Sequence, residues 1–292
     1  MTQPKKIQII GAALGWGAKR HETEYAPDVY AQSQLESLGT WHQTIYPALS
    51  FKDHAPSLDY PSRLAQIVQF NQVLAQTLQE QSQANPFCVV LGGDHAIAIG
   101  TWSGVITALG AQQQFGLLWL DAHMDANTPE TSRSHAIHGM PLAVLLGYGE
   151  KALVNLLQPG AKLSPNYTVV FGVRSFEAGE AALLAALKVR IYFMEEIRDR
   201  GIALCLEEAL SLVNQAPKGF GVSIDLDVFD PIEAPGVGSP EPQGIFLEGI
   251  LPGLKNIFAQ VNLKALEIAE YNPVLDQGEK TLKLTQKILG LF

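Results

Sequence analysis

Short apolar runs alternate along this chain with longer stretches of helical periodicity. Strand-like runs are IQIIGAA from Ile7, a segment near Thr44, and the later runs YTVVFGV, VRIYFM and KALEIAEY. Helical patterns cover residues 27–38 and 61–83, and the last one starts at Glu279. This alternation predicts an α/β fold in which helices cover both faces of a mainly parallel sheet.

Three further apolar runs end in acidic and imidazole side chains. CVVL leads into GGDHAIAIG, FGLLWL into DAHMDAN, and GFGVSI into DLDVFDP. Runs of this kind are typical of strands buried on both faces, and open α/β sheets bind ligands at the carboxyl ends of such strands. The side chains expected at these ends are four carboxylates and two imidazoles: His95, Asp121, His123, Asp125, Asp225 and Asp227.

The spacing within these motifs favours a single site. Side chains alternate in an extended segment, so Asp121, His123 and Asp125 are expected to project to one side. The same holds for Asp225 and Asp227. Carboxylates gathered without cations raise one another's pKa and resist ionisation, whereas two divalent ions about 4 Å apart remove that repulsion and activate a bridging water. The pattern therefore predicts a two-metal hydrolytic site.

The donor types narrow the choice of metal. Oxygen-rich ligation with two imidazoles and no nearby thiolate favours a hard or borderline ion such as Mn²⁺. The same donors are compatible with Co²⁺, Fe²⁺ or Ni²⁺.

Five motifs occur in an order that is found in one family of metal hydrolases: GGDH, DAHMDAN, IHGMPLA, SIDLDVFDP and AEYNP. On these motifs, the chain resembles the ureohydrolases, which include arginase, agmatinase, formimidoylglutamase and guanidinobutyrase. The match runs from Ile9 to Thr281. The resemblance implies a three-layer α/β/α sandwich and a manganese enzyme that hydrolyses guanidino or formimino groups. Because no linker, charge block or low-complexity run divides the chain, residues 1–292 are predicted to form a single domain.

The resemblance also implies how two Mn²⁺ ions would be held. One ion would be bound by His95, Asp121, Asp125 and Asp225. The other would be bound by His123, Asp121, Asp225 and Asp227. Asp121 and Asp225 would therefore bridge the two ions.

Three residues acquire catalytic roles from the resemblance. His138 matches a proton-shuttling histidine, and an imidazole can move a proton near neutral pH. Glu270 matches the glutamate that binds the guanidinium, which suits paired, charge-assisted hydrogen bonds. Asp125 would orient the metal-bound hydroxide that attacks the guanidinium carbon. For an arginase, the implied reaction converts L-arginine to L-ornithine and urea.

Substrate contacts are implied by two further stretches. NTPETSRSHAIHGMPLA resembles the arginase loop whose amide and hydroxyl groups hold the α-carboxylate, here Asn127, Ser132 and Ser134. GVRSFEAGE resembles the stretch that binds the α-amino group, here through Glu177 and Glu180.

Three positions depart from the arginase pattern. Glu177 replaces the usual aspartate, His135 replaces a small residue, and Ser239, a candidate substrate contact, replaces threonine. These departures keep open a second function, that of another ureohydrolase such as a guanidino-acid hydrolase or an agmatinase. A third hypothesis, a non-catalytic metal-binding homologue, is disfavoured because the metal ligands and His138 are all present.

Composition sets the remaining expectations. The net charge of −9 argues against nucleic acid as a partner and suits a small cationic guanidino substrate. No signal peptide or membrane-length apolar run is found, which predicts a cytoplasmic protein without a membrane partner. Cys88 and Cys205 are predicted to be reduced core thiols. The resemblance implies a homo-oligomer, either a trimer or a hexamer.

The glycine-rich stretch GAALGWGAKRHE invites a nucleotide-binding interpretation, but it fits neither common motif. The pair Lys19 and Arg20 lacks the glycine and hydroxyl neighbours of a phosphate-binding loop. We interpret this stretch as a loop at the rim of the substrate site. His21, His42 and His54 lie outside the strand-end motifs and are predicted to be surface or packing residues.

Overall fold

Strands and helices alternate in the folded chain as predicted. The computed structural model describes residues 7–33, 35, 38–50, 58–84 and 87–292, so His54 lies outside the described residues. The strands are β1 (Ile7–Ala12), β2 (Thr40–Ile45), β3 (Phe87–Leu91), β4 (Gly116–Leu120), β5 (Thr168–Val173), β6 (Arg190–Phe193), β7 (Phe220–Asp225) and β8 (Leu263–Ala269). They form one sheet in the order β2-β1-β3-β8-β7-β4-β5-β6, and every neighbouring pair is parallel. The expected α/β fold with a parallel sheet is confirmed.

The long helix predicted over residues 61–83 is present with nearly those bounds. The helices of the described ranges are α1 (Ala26–Gln32), α2 (Tyr60–Gln83), α3 (Ile97–Ala108), α4 (Pro141–Leu145), α5 (Lys151–Val154), α6 (Ala178–Leu187), α7 (Met194–Arg200), α8 (Ile202–Val213), α9 (Leu247–Phe258) and α10 (Lys280–Leu289). The start of α2 is fixed by Asp59, whose carboxylate accepts a hydrogen bond from Ser62 N at 3.0 Å, with Pro61 in the first turn.

The helix predicted over residues 27–38 is wrong in its length. Helix α1 ends at Gln32, and the Ser33 hydroxyl donates to the Tyr30 carbonyl oxygen at 2.8 Å. Because this side chain satisfies a carbonyl at the helix end, it competes with a further helical turn. Leu35 and Leu38 pack against the core from outside the helix.

Helices cover both faces of the sheet. In β3, Val89 and Leu91 contact one hydrophobic core, while Cys88 and Val90 contact the other. Helices α1 and α7–α10 close the first core, and α2–α6 close the second. This is the expected three-layer arrangement. Cys88 and Cys205 are both buried thiols. Within the described ranges, no helix has both the length and the apolarity needed to cross a membrane.

The site-bearing strands are neighbours at the centre of the sheet. Strands β3, β8, β7 and β4 are adjacent in that order. Because all four are parallel, their carboxyl ends meet at one edge, where ligand sites of open α/β sheets lie. The segments that follow them carry, respectively, His95, Glu270, Asp227 and Asp121, while Asp225 is the last residue of β7.

Helices α2 and α3 approach closely because α3 presents glycine to α2. A Cβ added at Gly104 would lie 2.4 Å from the Ala75 carbonyl oxygen and 2.8 Å from Leu78 Cβ. Interiors are close-packed, so a larger residue would force the two helices apart. This contact matters for the site because α3 begins two residues after His95.

Gly104→Ala is expected to lower the free energy of unfolding by about 2 kcal/mol, because the added methyl overpacks the α2–α3 contact. Gly249→Ala is a matched control in α9, since a Cβ added there meets nothing within 4 Å. That control is expected to raise stability by about 0.5 kcal/mol through helix propensity. Urea denaturation measures both values, and equal effects of the two substitutions would contradict the packing argument.

Candidate metal centre

The predicted ligands converge, but through turns rather than through strand alternation. Strand β4 ends at Leu120, so Asp121, His123 and Asp125 lie in an irregular segment, and Asp125 has a left-handed φ of 46°. The expectation that an extended backbone aligns these side chains is therefore wrong. The Asp121 carboxylate turns back to accept a hydrogen bond from His123 N at 2.6 Å. Side chains of this kind stabilise tight turns by bonding to the backbone two residues on.

The first ligand group surrounds the imidazole of His95. Its Nδ1 lies 3.3 Å from Asp121 Oδ2, 3.0 Å from Asp125 Oδ2 and 3.1 Å from Asp225 Oδ2. All four side chains are buried. One imidazole and three carboxylates thus point their ligand atoms at a common centre.

The second ligand group lies beside the first and is more exposed. His123 Nδ1 is 2.9 Å from Asp227 Oδ2 and 3.5 Å from Asp121 Oδ1. Asp121 belongs to both groups, because its Oδ2 faces His95 and its Oδ1 faces His123, as expected of a bridging ligand. Asp225 lies in the first group but not in the second, so its bridging role stays a prediction.

A chain of buried hydrogen bonds fixes the orientation of His95. The Ser223 hydroxyl donates to Glu267 Oε1 at 2.8 Å, so its oxygen accepts from His95 Nε2 at 2.9 Å. Since Nε2 then carries the proton, neutral His95 presents a lone pair on Nδ1. Metal-ligating histidines commonly use such a partner to set their tautomer.

These residues fit a divalent cation. A lone pair on His95 Nδ1 faces three carboxylate oxygens, an arrangement that requires either a proton or a cation between them. Within the described part of the chain, His95 Nδ1 and Asp125 Oδ2 are both buried without a hydrogen bond of acceptable geometry, although they lie only 3.0 Å apart. Unsatisfied buried atoms of this kind are rare in folded proteins unless something further binds them.

Burial and mutual repulsion set the protonation of the cluster. Burial, together with the charge of Asp121, raises the pKa of Asp125 to about 7. Burial and the neighbouring Asp227 raise the pKa of Asp225 well above its usual value. Burial alone would lower the pKa of His95, but the surrounding carboxylates raise it well above 6.5. The metal-free cluster therefore holds protons in the place of cations.

Several supporting residues escaped the sequence-based prediction. Trp119 stacks on the His95 ring with centroids 4.1 Å apart and donates to Asp121 Oδ2 at 2.8 Å. Ser223 lies two residues before Asp225, on the same face of β7. Glu267 is a charged residue inside the otherwise apolar run ALEIA. A charged residue inside a buried strand is the sequence signal by which Glu267 could have been found.

His138 and Glu270 form a pair beside the cluster. Glu270 Oε1 accepts from His95 N at 2.8 Å and lies 3.0 Å from His138 Nδ1. Burial alone would lower the pKa of His138, but the Glu270 carboxylate raises it to about 9. His138 is therefore protonated near neutral pH and available as a proton donor.

A cavity of about 220 Å³ opens onto this cluster. Besides metal ligands, six residues predicted from the sequence line this cavity: Asn127, His138, Glu177, Glu180, Ser239 and Glu270. Asn127 Nδ2 donates to Glu177 Oε2 at 3.0 Å. Glu180 accepts from Ala126 N at 3.2 Å and from Glu177 N at 2.7 Å, so it also anchors the loop that carries Asn127.

Ser132 and Ser134 lie outside this cavity. The Ser132 hydroxyl accepts from His135 N at 3.0 Å, and the Ser134 hydroxyl accepts from Ala136 N at 3.2 Å. Ser134 instead lines an adjoining cavity, whereas Ser132 is buried and lines neither. The structure therefore separates two residues that the sequence assigned to one carboxylate.

His135, a departure from the arginase pattern, lines neither cavity. Its φ of 51° is left-handed, a conformation in which glycine is most easily accommodated. Its ring packs edge-on against Tyr60 with centroids 5.7 Å apart. This substitution leaves the lining of the site unchanged.

Comparison with known proteins identifies the family. An arginase family model matches residues 5–291. The chain is 34% identical to the arginase of Bacillus subtilis (strain 168) over 294 residues, which cover 98% of each chain. It is 32% identical to the arginase of Bacillus caldovelox over 293 residues, which cover 98% of this chain and 97% of that one.

The chain belongs to the arginase family. As a member of the arginase family it is a ureohydrolase, a hydrolase that acts on guanidino C–N bonds. A crystal structure of arginase from Bacillus subtilis matches it with a TM-score of 0.88 at 32% identity over 98% of each chain. The arginase fold is therefore confirmed, and the buried His/Asp cluster of this family member fits a divalent metal site.

Metal binding by this arginase family member is expected to change how stability depends on pH. The pKa of Asp125 is raised to about 7 and that of His95 well above 6.5, so the metal-free native state binds more protons than the unfolded chain from about pH 4 through neutral pH, and its stability falls as pH rises. We expect the melting temperature of chelator-treated protein to fall from about pH 5 to about pH 8, and Mn²⁺ to flatten this slope by replacing the protons. Thermal melts at fixed ionic strength measure both slopes.

Asp125→Asn removes one of these titrating groups and should make the metal-free slope shallower. Asp199→Asn, at an exposed position of α7, is the matched control and should leave the slope unchanged. Identical slopes with and without Mn²⁺ would contradict the cation-binding account.

Proposed function

We propose that this protein is an arginase that hydrolyses L-arginine to L-ornithine and urea with two Mn²⁺ ions. The observation that carries the proposal is one cavity with two chemically distinct ends. Its inner end is the carboxylate and imidazole cluster, and its outer wall carries Asn127, Glu177 and Glu180. Two relatives that are named arginase align with 98% of this chain, which supports the same substrate.

The inner end suits a guanidine. We propose that one ion is held by His95, Asp121, Asp125 and Asp225, and the other by His123, Asp121, Asp225 and Asp227. When bound, such a pair supplies Lewis acidity that lowers the pKa of water and stabilises developing negative charge. Glu270, which is buried with its carboxylate on the cavity, would pair with the planar guanidinium and hold its carbon towards the cluster.

Proton movement falls to two residues of this chain. Asp125 Oδ2 faces the cluster and has no hydrogen-bond partner among the described residues, so the carboxylate that would hold the metal would also accept a hydrogen bond from the attacking water and orient it. His138, with its pKa raised to about 9, would donate a proton to the amine that leaves as the C–N bond breaks. Glu270 Oε1, 3.0 Å from His138 Nδ1, keeps the imidazole oriented.

The outer wall suits an ammonium group. Glu177 lines the cavity with 39% of its side chain exposed, and the buried Glu180 lines the same cavity. A carboxylate at the cavity edge would bind the α-ammonium of an amino acid. Glu177 is one methylene longer than the aspartate usual in arginases, so it would reach further into the cavity.

Location and assembly complete the proposal. We propose a cytoplasmic protein that forms a homo-oligomer, and the resemblance to the family implies that this oligomer is either a trimer or a hexamer. The acidic net charge of −9 disfavours nucleic acid as a partner. A single domain over residues 1–292 is part of the same proposal.

The substrate is tested by offering the Mn²⁺-loaded protein L-arginine, agmatine, 4-guanidinobutyrate and 3-guanidinopropionate in parallel assays of urea release. We expect L-arginine to give the highest kcat/KM. Glu177→Gln should raise the KM for L-arginine by about tenfold by removing the carboxylate that faces the ammonium. The same variant should leave the KM for 4-guanidinobutyrate, which has no α-ammonium, nearly unchanged.

Preferred turnover of agmatine or of a guanidino acid would contradict the arginase proposal and favour another ureohydrolase. Absence of urea from every guanidine, after loading with Co²⁺, Fe²⁺ or Ni²⁺ as well, would favour a non-catalytic homologue. Glu248→Gln, at an exposed position of α9, is the control for loss of one surface carboxylate.

A further inference from the structure

The two imidazoles of the cluster are oriented in the same way. His95 and His123 both direct Nδ1 at carboxylate oxygens of the cluster, so the Nε2 of each ring is left to meet a different group. Nε2 of His95 meets the buried Ser223 hydroxyl, which donates onward to Glu267. Nε2 of His123 lies 3.7 Å from Oε1 of Glu241. Each imidazole is therefore backed by a glutamate, through a hydroxyl in one case and without an intervening side chain in the other.

Glu241 has no role in the site as described so far. It lies in the segment GSPEPQG, in the loop between β7 and α9. It belongs to neither group of candidate metal ligands, and it lines neither of the cavities beside the cluster. Its side chain is 32% exposed, whereas Glu267 is fully buried. The contact with His123 is therefore the observation that connects Glu241 to the metal centre.

Arg174, the residue after β5, fixes the position of Glu241 relative to His123. Its Nη2 donates to the Glu241 carbonyl oxygen at 2.8 Å and to the Asp227 carbonyl oxygen at 2.6 Å. Its backbone N donates at 2.9 Å to the carbonyl oxygen of Ala122, the residue before His123. One arginine thus holds together the two segments that carry the ligands of the second group and the loop that carries Glu241.

The course of this loop is also set by close packing at Gly244. Gly244 N donates to the Asp230 carboxylate at 3.1 Å. A Cβ added at Gly244 would lie 2.5 Å from Asp230 N and 2.7 Å from Arg174 Nη2, so the approach requires glycine. The backbone at Glu241 is therefore held between fixed points on both sides, and its carboxylate starts from a defined position.

A carboxylate beside Nε2 favours metal binding at Nδ1. A negative charge near Nε2 stabilises the tautomer that carries its proton there, which leaves the lone pair on Nδ1. It also stabilises the positive charge that a bound cation induces on the ring. The 3.7 Å separation is too long for a direct hydrogen bond, so Glu241 acts on His123 through its charge.

We propose that Glu241 is a positioning residue that acts through His123 and strengthens the binding of the ion held at His123 Nδ1. This inference rests on the proposed two-ion site and is independent of which guanidine the protein hydrolyses. Glu267 acts in the corresponding way on His95, through Ser223. Because the two glutamates are separate, loss of Glu241 affects one ion and leaves the other in place.

The expected effect is at the lower end of the range for such partners. Removal of a carboxylate behind a metal-binding histidine typically weakens metal binding by about 10–100-fold. Glu241 is partly exposed and makes no direct hydrogen bond to the ring, so water screens part of its charge. We therefore expect a loss of about tenfold for the ion at His123 and of less than about twofold for the ion at His95.

The test is a calorimetric titration of chelator-treated, full-length protein with Mn²⁺, which requires no substrate. Glu241→Gln keeps the size of the side chain and removes its charge, so the Kd of one of the two ions should rise by about tenfold. Glu241→Asp keeps the charge and should lose less affinity. Diffraction at the manganese absorption edge from Glu241→Gln crystals at limiting Mn²⁺ identifies the affected ion, and the peak at His123 should weaken relative to the peak at His95.

Glu248→Gln is the matched control, because it removes one carboxylate at an exposed position of α9, just beyond the same loop. Both Kd values of this control should stay within about twofold of those of the unmodified protein. Unchanged affinities in Glu241→Gln, equal weakening of both ions, or an equal loss in the control would overturn the role of Glu241. Binding of fewer than two Mn²⁺ ions by the unmodified protein would overturn the two-ion proposal and this inference together. A wrong substrate assignment is detected separately, by the urea assays.

Discussion

The structure depends on the repulsion that a buried group of carboxylates would suffer without positive charge between them. Asp121, Asp125 and Asp225 direct oxygens at one imidazole nitrogen of His95, away from bulk water. A native protein tolerates such an arrangement only when protons or metal ions neutralise it. The Ser223–Glu267 chain keeps the His95 lone pair directed at the centre, so the site is built for a cation.

The parallel sheet provides the rigid base for this arrangement. Its four central strands end at one edge, and both of their faces are buried, so the loops beyond them start from fixed positions. The loop of residues 13–20 is tied to the same edge because Gly17 N donates to the Asp94 carboxylate and His138 N donates to the Gly17 carbonyl oxygen. The rigid sheet thereby positions both the reactive cluster and the residues around the cavity mouth. Sequence differences in the loops then change which substrate is bound.

Much of the metal centre could be predicted from the sequence, because burying acidic side chains beside core strands destabilises the fold unless a ligand neutralises their charge. The strands before Asp121 and Asp225 were placed correctly, and their convergence follows from parallel pairing. The expectation that side-chain alternation aligns Asp121 with Asp125 is wrong, because Asp125 adopts a left-handed conformation that alternation along a strand does not predict. The separation of Ser134 from Asn127 depends on long-range packing, as does the hydrogen bond from Ser223 to Glu267, and neither could be read from local pattern.

The central claim is that the cluster holds two divalent ions. Diffraction at the manganese absorption edge from crystals of the Mn²⁺-loaded protein tests it most directly. The account predicts two anomalous peaks per chain, one within bonding distance of His95 Nδ1 and one within bonding distance of His123 Nδ1, with Asp121 between them. A fully loaded, folded protein with a single peak, or with peaks only at the surface, would contradict it.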